Sequence, residues 1–193
     1  MPEPKPTAVI LLLSGSLRSS SSNESVLRTV RAVAPEGVRA VLHDGLGDLP
    51  HFNPDDDTDP LPAPVVALRT AIDEATAVLV CTPEYAGTLP GSFKNLLDWT
   101  VGGTEIVDKP TAWINSAAAG RGQGAEATLR GVLGYTGAEI VESACVRIPL
   151  NRPAVDAEGA IVDPAVRKQL GEVVDRLTGF RGRAAAARQE GLD

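Results

Sequence analysis

The chain has 193 residues, of which 43% are hydrophobic and 22% charged, and its formal net charge is −7; that balance fits one globular domain over residues 1–193. An acidic chain with 4% aromatic residues offers no cationic, ring-bearing track for nucleic acid, and no apolar run approaches the roughly 18 residues of a membrane span. Two cysteines, Cys81 and Cys145, with no CxxC or Cys/His cluster, exclude a disulfide framework and a metal site and suit a reduced cytoplasmic compartment.

The first predicted element is a strand over 7–14. Its sequence TAVILLLS is continuously apolar, which places it at the centre of a sheet covered on both faces. Lys5 ahead of it gives the outline of a signal peptide, but an apolar core of about six residues without a small-residue cleavage pattern reads better as a buried strand. A helix over 23–35 and a strand over 38–43 follow. The stretch 43–64, rich in Asp and Pro, breaks regular structure and reads as a surface connection. Its DDDTD at 55–59 lacks the Gly and distal Glu of a calcium loop and is expected to be a solvated acidic segment.

The alternation then continues with a helix at 64–75, a strand at 76–82, helices at 91–101 and 122–136 around a strand at 110–115, a strand at 139–148 and a last helix at 163–188. Residues 1–6 and 184–193 are expected to be flexible. β-branched apolar runs alternating with helical periodicity predict an α/β fold with a parallel sheet. For this element count the commonest arrangement is the flavodoxin-like, doubly wound order 2-1-3-4-5 with helices on both faces.

In such a sheet, ligands bind beyond the carboxyl ends of the strands where the order reverses, so the loops after the first, third and fourth strands are expected to converge. The first runs from Ser14 to Asn23 straight into a helix. Ser16, Ser21 and Asn23 can donate hydrogen bonds, Arg18 a charge-assisted one, and the helix N-terminus favours an anion. The same Ser and Asn residues serve equally well as a helix cap. The second loop, Thr82-Pro83-Glu84-Tyr85-Ala86-Gly87-Thr88-Leu89-Pro90-Gly91, has an irregular backbone that can meet a planar heterocycle with Tyr85 beside it, or is a turn with one half-buried tyrosine. Lys94, Asn95 and Asp98 recur at helical spacing and point to packing or a subunit interface.

The third loop, from Ser116 to Gly124, is built of small residues that let a flat ligand approach the backbone. Gly120, Gly122 and Ala125 satisfy the dinucleotide fingerprint, but after the fourth strand instead of the first, so the match carries little.

GSLRSSSSN in the first loop, PEYAGTLPGSFKNLLDW after the third strand and SAAAGRGQG after the fourth together resemble the NAD(P)H-dependent FMN reductase family, which contains flavodoxin-like quinone, azo-dye and chromate reductases. The resemblance spans about residues 7–180. It implies that Ser16, Arg18, Ser21 and Asn23 hold the FMN phosphate, that Pro83, Glu84, Tyr85, Ala86 and Thr88 line the isoalloxazine, and that Ser116 and Gly120 border it. It also implies NADPH or NADH as hydride donor, a small acceptor such as a quinone, azo compound or free flavin, and a homodimer or homotetramer.

On this reading the flavin carries the chemistry in a ping-pong cycle, no side chain is catalytic, Tyr85 walls the substrate site and Arg121 meets the phosphates of the nicotinamide cofactor. His43 and His51 need no role. Two positions depart from the family's habit, Ala86 where Asn is usual and Thr88 where Ser is frequent; the lost amide removes a hydrogen bond worth about 1 kcal/mol. The alternatives are a flavodoxin-like electron carrier or redox-sensing module that holds FMN without oxidising NAD(P)H, and a phosphate-ester enzyme. The latter lacks an evident nucleophile, since Cys81 and Cys145 fall within predicted strands.

Overall fold

The computed structural model describes residues 6–19 and 21–180. Five parallel strands run in the order 2-1-3-4-5: β1 (Ala8–Ser14), β2 (Val38–Leu42), β3 (Ala77–Cys81), β4 (Pro110–Asn115) and β5 (Glu139–Ile140). The alternation of residues on the central strands sorts the helices into two layers. Leu11, Leu13, Val78 and Val80 face α2 (Ala63–Glu74), α3 (Gly91–Asp98) and α4 (Gln123–Tyr135). Ile10, Leu12, Leu79 and Cys81 face α1 (Ser22–Val33) and α5 (Pro164–Thr178). Strands covered on both faces need unbroken apolar sequence, which is what the first and third strands have.

The predicted strand 139–148 is a broken one. Thr111 pairs with Ile140 and Ile114 with Val146, so a short advance along β4 is matched by a longer stretch of chain. The surplus is taken up by a helical turn at Glu142–Ala144, after which β6 (Val146–Arg147) resumes pairing with β4. Cys145 therefore lies between that turn and β6, half-buried, and not within a strand.

Two helix ends also differ. α3 stops at Asp98 because Trp99 turns its N–H back to Asn95 O and Leu97 O. α5 ends at Thr178 on Gly179, while the predicted continuation beyond residue 180 and the expected flexible tail lie outside the described residues, as do residues 1–5. Among the described residues no helix is long and apolar enough to cross a membrane.

The 43–64 connection lies on the surface, with Asp55, Asp56, Thr58 and Asp59 exposed, but it is pinned down at Pro50, Phe52 and Asp57. Arg69 is buried and donates to Trp99 O at 2.9 and 3.0 Å and to Asp57 Oδ1 at 2.8 Å. Asn95 accepts from Phe52 N and donates to Pro50 O, which also takes the Trp99 indole N–H. Phe93, Leu96, Leu97 and Trp99 are all inside this core, so the apolar stripe of α3 is used within the chain and is not spare for a subunit interface. Lys94 and Asp98 pair with each other one turn apart.

Candidate functional site

The loops after β1, β3 and β4 meet above the carboxyl edge of the sheet. Ser14 leads into Gly15, whose Cβ, if it had one, would stand 2.0 Å from Thr82 Oγ1; the close approach of two loops excludes any side chain there. Ser21 caps α1, its hydroxyl accepting from the Asn23 N–H at 3.2 Å. The first-turn N–H groups of this helix have no preceding turn to satisfy them, which makes its end an anion-favouring surface.

Asn23 ties the loops together from below. Its Oδ1 accepts from the Cys81 thiol at 3.3 Å and the Ser116 hydroxyl at 3.0 Å, while Nδ2 donates to Ser21 Oγ at 3.3 Å. Asn23, Cys81, Ser116 and Ser21 are all buried, and the two donors below fix the amide with its carbonyl inward and its NH2 toward the first loop. Burial pushes the Cys81 thiol up to about 12, with Ser116 beside it opposing only in part. It is a hydrogen-bond donor in this network and not a nucleophile.

The second loop is a two-residue hairpin. Tyr85 and Thr88 exchange backbone hydrogen bonds at 3.0 and 3.1 Å, and Ala86 and Gly87 between them have φ of 50° and 77°. Both central residues are left-handed, the geometry that favours Asn-Gly. The departure at Ala86 is thus first a matter of backbone conformation, and only then of a missing amide. Glu84 borders the open site, but one oxygen of its carboxylate is engaged within the protein. Its Oε2 accepts from Gly124 N at 2.7 Å and Ala125 N at 3.1 Å, capping α4, whose own N-cap, Gly122, has no side chain to do so. A Cβ at Gly124 would come within 1.9 Å of Gly87 O, so the second loop lies directly on the start of α4.

These contacts leave a cleft of about 280 Å³ lined by Asn23, Pro83, Glu84, Ser116, Arg121 and Leu150 among others. A second cleft of about 200 Å³, lined by Ser16, Arg18 and His43 among others, lies between the first loop and the end of β2. A third, of about 580 Å³, is lined by Arg18 and Ser21 and runs along α1. Tyr85, Ala86 and Thr88 are exposed on the hairpin beside the first cleft, Tyr85 being 48% exposed, and a hydrogen bond joins the Thr88 and Thr128 hydroxyls. No atom lies within 4 Å of a Cβ built at Gly87 or Gly120, so the backbone of the second and third loops is bare on that side.

Sequence reasoning passed over three lining residues. His43 lies just past β2, its Nε2 buried without a hydrogen-bond partner, and burial lowers its pKa against the raising effect of Asp44. Leu150 and Arg152 come from the segment after β6, whose position became visible only once the last strand proved to be broken. His51 is exposed and lines none of these clefts. Among the described residues no cluster of His, Cys, Asp and Glu could hold a metal.

Residues 8–150 match the NADPH-dependent FMN reductase family. A 2-hydroxy-1,4-benzoquinone reductase from a Burkholderia species is 32% identical over 175 residues, covering 89% of this chain and 94% of that protein. An NAD(P)H-dependent FMN reductase from Pseudomonas aeruginosa is 33% identical over 172 residues, covering 87% and 92%. Among solved structures, the flavoenzyme NAD(P)H:(acceptor) oxidoreductase FerB from Paracoccus denitrificans superposes with a TM-score of 0.74 at 29% identity, covering 90% of this chain and 97% of that one. With the matched segment spanning all three converging loops, the chain belongs to the NADPH-dependent FMN reductase family.

Proposed function

We propose that this chain is an NAD(P)H-dependent FMN oxidoreductase of one domain that reduces a small acceptor of the quinone class. The observation that carries the reading is the shared cleft above β1, β3 and β4, where a helix N-terminus, a fixed Asn23 amide and bare loop backbone stand side by side. These features fit FMN: the first loop offers hydroxyls, N–H groups and Arg18 to its phosphate, and the open backbone at Gly87 and Gly120 leaves room for a flat ring. When bound, FMN supplies the two-electron chemistry between nicotinamide and acceptor.

The chain's own residues bind and orient. Ser16, Arg18, Ser21 and Asn23 hold the phosphate end, Asn23 presenting its NH2 because Cys81 and Ser116 occupy its carbonyl. Pro83, Ala86 and Thr88 meet the ring through their backbone, while Glu84 acts indirectly by locking the second loop to α4. Ser116 and Gly120 border the ring from the third loop. Tyr85, on the open side, walls the space that donor and acceptor occupy in turn, and Arg121 meets the diphosphate of the donor. No protein side chain is needed to take up a proton, and burial keeps both cysteine thiols protonated.

A homodimer or homotetramer uses the outer face of α4, where Ala127, Gly131 and Tyr135 are exposed, and two unpaired cysteines accord with a cytoplasmic location. FMN titration followed by quenching of flavin fluorescence, then NADPH oxidation with 1,4-benzoquinone as acceptor, tests the reading. Tight binding weakened tenfold or more in Asn23→Ala, with acceptor-dependent NADPH loss, is expected; binding without turnover would leave an electron carrier.

A further inference from the structure

The largest of the three clefts, about 580 Å³, is used by the flavin reading only at its Arg18 and Ser21 end, and the part along α1 toward Arg152 is left over. It runs from the first loop along α1 to the segment after β6, and Arg18, Ser22, Glu24, Ser25, Arg28 and Arg152 are among its lining residues. Three arginines against one glutamate is an unexpected lining in a chain whose net charge is −7. Glu24 is already taken by Arg28, which donates to its Oε1 through Nε at 2.9 Å and again through Nη2. The side chains of Arg18 and Arg152 make no hydrogen bond or ion pair among the described residues. Two arginines without an ion-pair partner among the described residues thus face a cavity whose one carboxylate, Glu24, is already paired with Arg28.

Arg152 is held there against local preference. Its φ is 47°, a left-handed backbone that side chains other than Asn, Asp and Gly seldom adopt, and it precedes Pro153, which pushes its neighbour toward extended conformations. The cleft is also too large for a phosphate alone and is joined to the ring cleft through Ser22, which lines both. Arg28 stands six residues into α1 from Ser22, about 9 Å along the axis, beyond the helix end where the flavin phosphate would lie. Planar guanidinium groups suit both parts of a phosphorylated adenosine, pairing with the phosphate and stacking on the base.

We propose that this cleft is a second anion subsite taking the 2′-phosphorylated adenosine end of NADPH, and that Arg152 is the residue that distinguishes NADPH from NADH. The inference rests on the reductase reading for its ligand. Its test begins with binding: 2′,5′-ADP and 5′-AMP are titrated by calorimetry into the FMN-loaded protein and its Arg152→Gln and Arg28→Gln variants. The 2′-phosphate is expected to tighten binding at least tenfold over 5′-AMP, and Arg152→Gln to abolish most of that difference. In turnover, the ratio of kcat/KM for NADPH to that for NADH should fall at least tenfold in Arg152→Gln.

Equal binding of the two adenylates, or equal loss for both coenzymes, overturns the proposal. A fall in FMN affinity in place of the coenzyme effect assigns the arginines to the flavin phosphate and overturns it too. If the protein oxidises neither coenzyme, the reductase reading fails while the 2′,5′-ADP titration still decides the subsite.

Discussion

Glu84→Ala separates a capping role from a ligand-lining one. In the folded protein a single carboxylate oxygen accepts from Gly124 N and Ala125 N, and α4 has no side-chain cap of its own. Losing an N-cap acceptor costs about 1 kcal/mol, and losing a negative charge at a helix N-terminus costs roughly 0.3–1 kcal/mol more. The alanine variant should therefore lose about 1.5 kcal/mol, a fall in Tm of roughly 3–6 °C for a chain of this length. Glu84→Gln keeps a neutral acceptor and should lose about half as much.

Urea denaturation of the flavin-free protein reads the stability term directly, because no ligand shifts the equilibrium. FMN titration of the same variants should show weaker binding in the order wild type, Gln, Ala, since the second loop is no longer locked to α4. A Glu84→Ala protein as stable as wild type within 0.5 kcal/mol in urea would refute the capping argument, even if flavin binding suffered.

Ala86→Gly should raise stability by about 1 kcal/mol, because φ of 50° costs an alanine that much and a glycine nothing; an unchanged or lower melting temperature would contradict the turn geometry. Arg69→Ala should cost about 3 kcal/mol or more in urea denaturation, since it leaves Asp57 unpaired, its side chain 11% exposed, and the Trp99 carbonyl without its two donors. Both thiols are pushed up by burial, Cys81 to about 12 and Cys145 to about 11, so neither should react with Ellman's reagent within minutes at pH 8 in the folded protein. Two thiols should appear on addition of guanidinium, and rapid native labelling of Cys81 would show that the network around Asn23 is open.

The central place of the first strand was legible because an unbroken apolar run such as AVILLLS suits burial on both faces of a parallel sheet, while the order 2-1-3-4-5 came from the element count, for which it is the commonest arrangement. The three site loops followed from that order. What sequence could not supply was direction within the loops. Glu84 reads as one more polar residue of an irregular loop, and its cap on α4 is a contact across 40 positions. Likewise Asp57 looks like part of a solvated acidic run until the buried Arg69 is seen beside it.

The break in the last strand was hidden by composition, since IVESACVRI carries β-branched apolar residues on both sides of the Glu142–Ala144 turn. Only the pairing register with β4 reveals the surplus residues. With that break went the placement of Leu150 and Arg152, which is why a whole wall of the candidate site was absent from the sequence reading.

The central claim is that a reduced nicotinamide nucleotide delivers hydride to a flavin held in this cleft. An anaerobic titration of the FMN-loaded protein with NADPH, followed by visible flavin absorption, tests it most directly. The account predicts complete bleaching at one NADPH per bound FMN. Absorption that stays unchanged with both NADPH and NADH would contradict it and leave the chain a flavin-binding carrier.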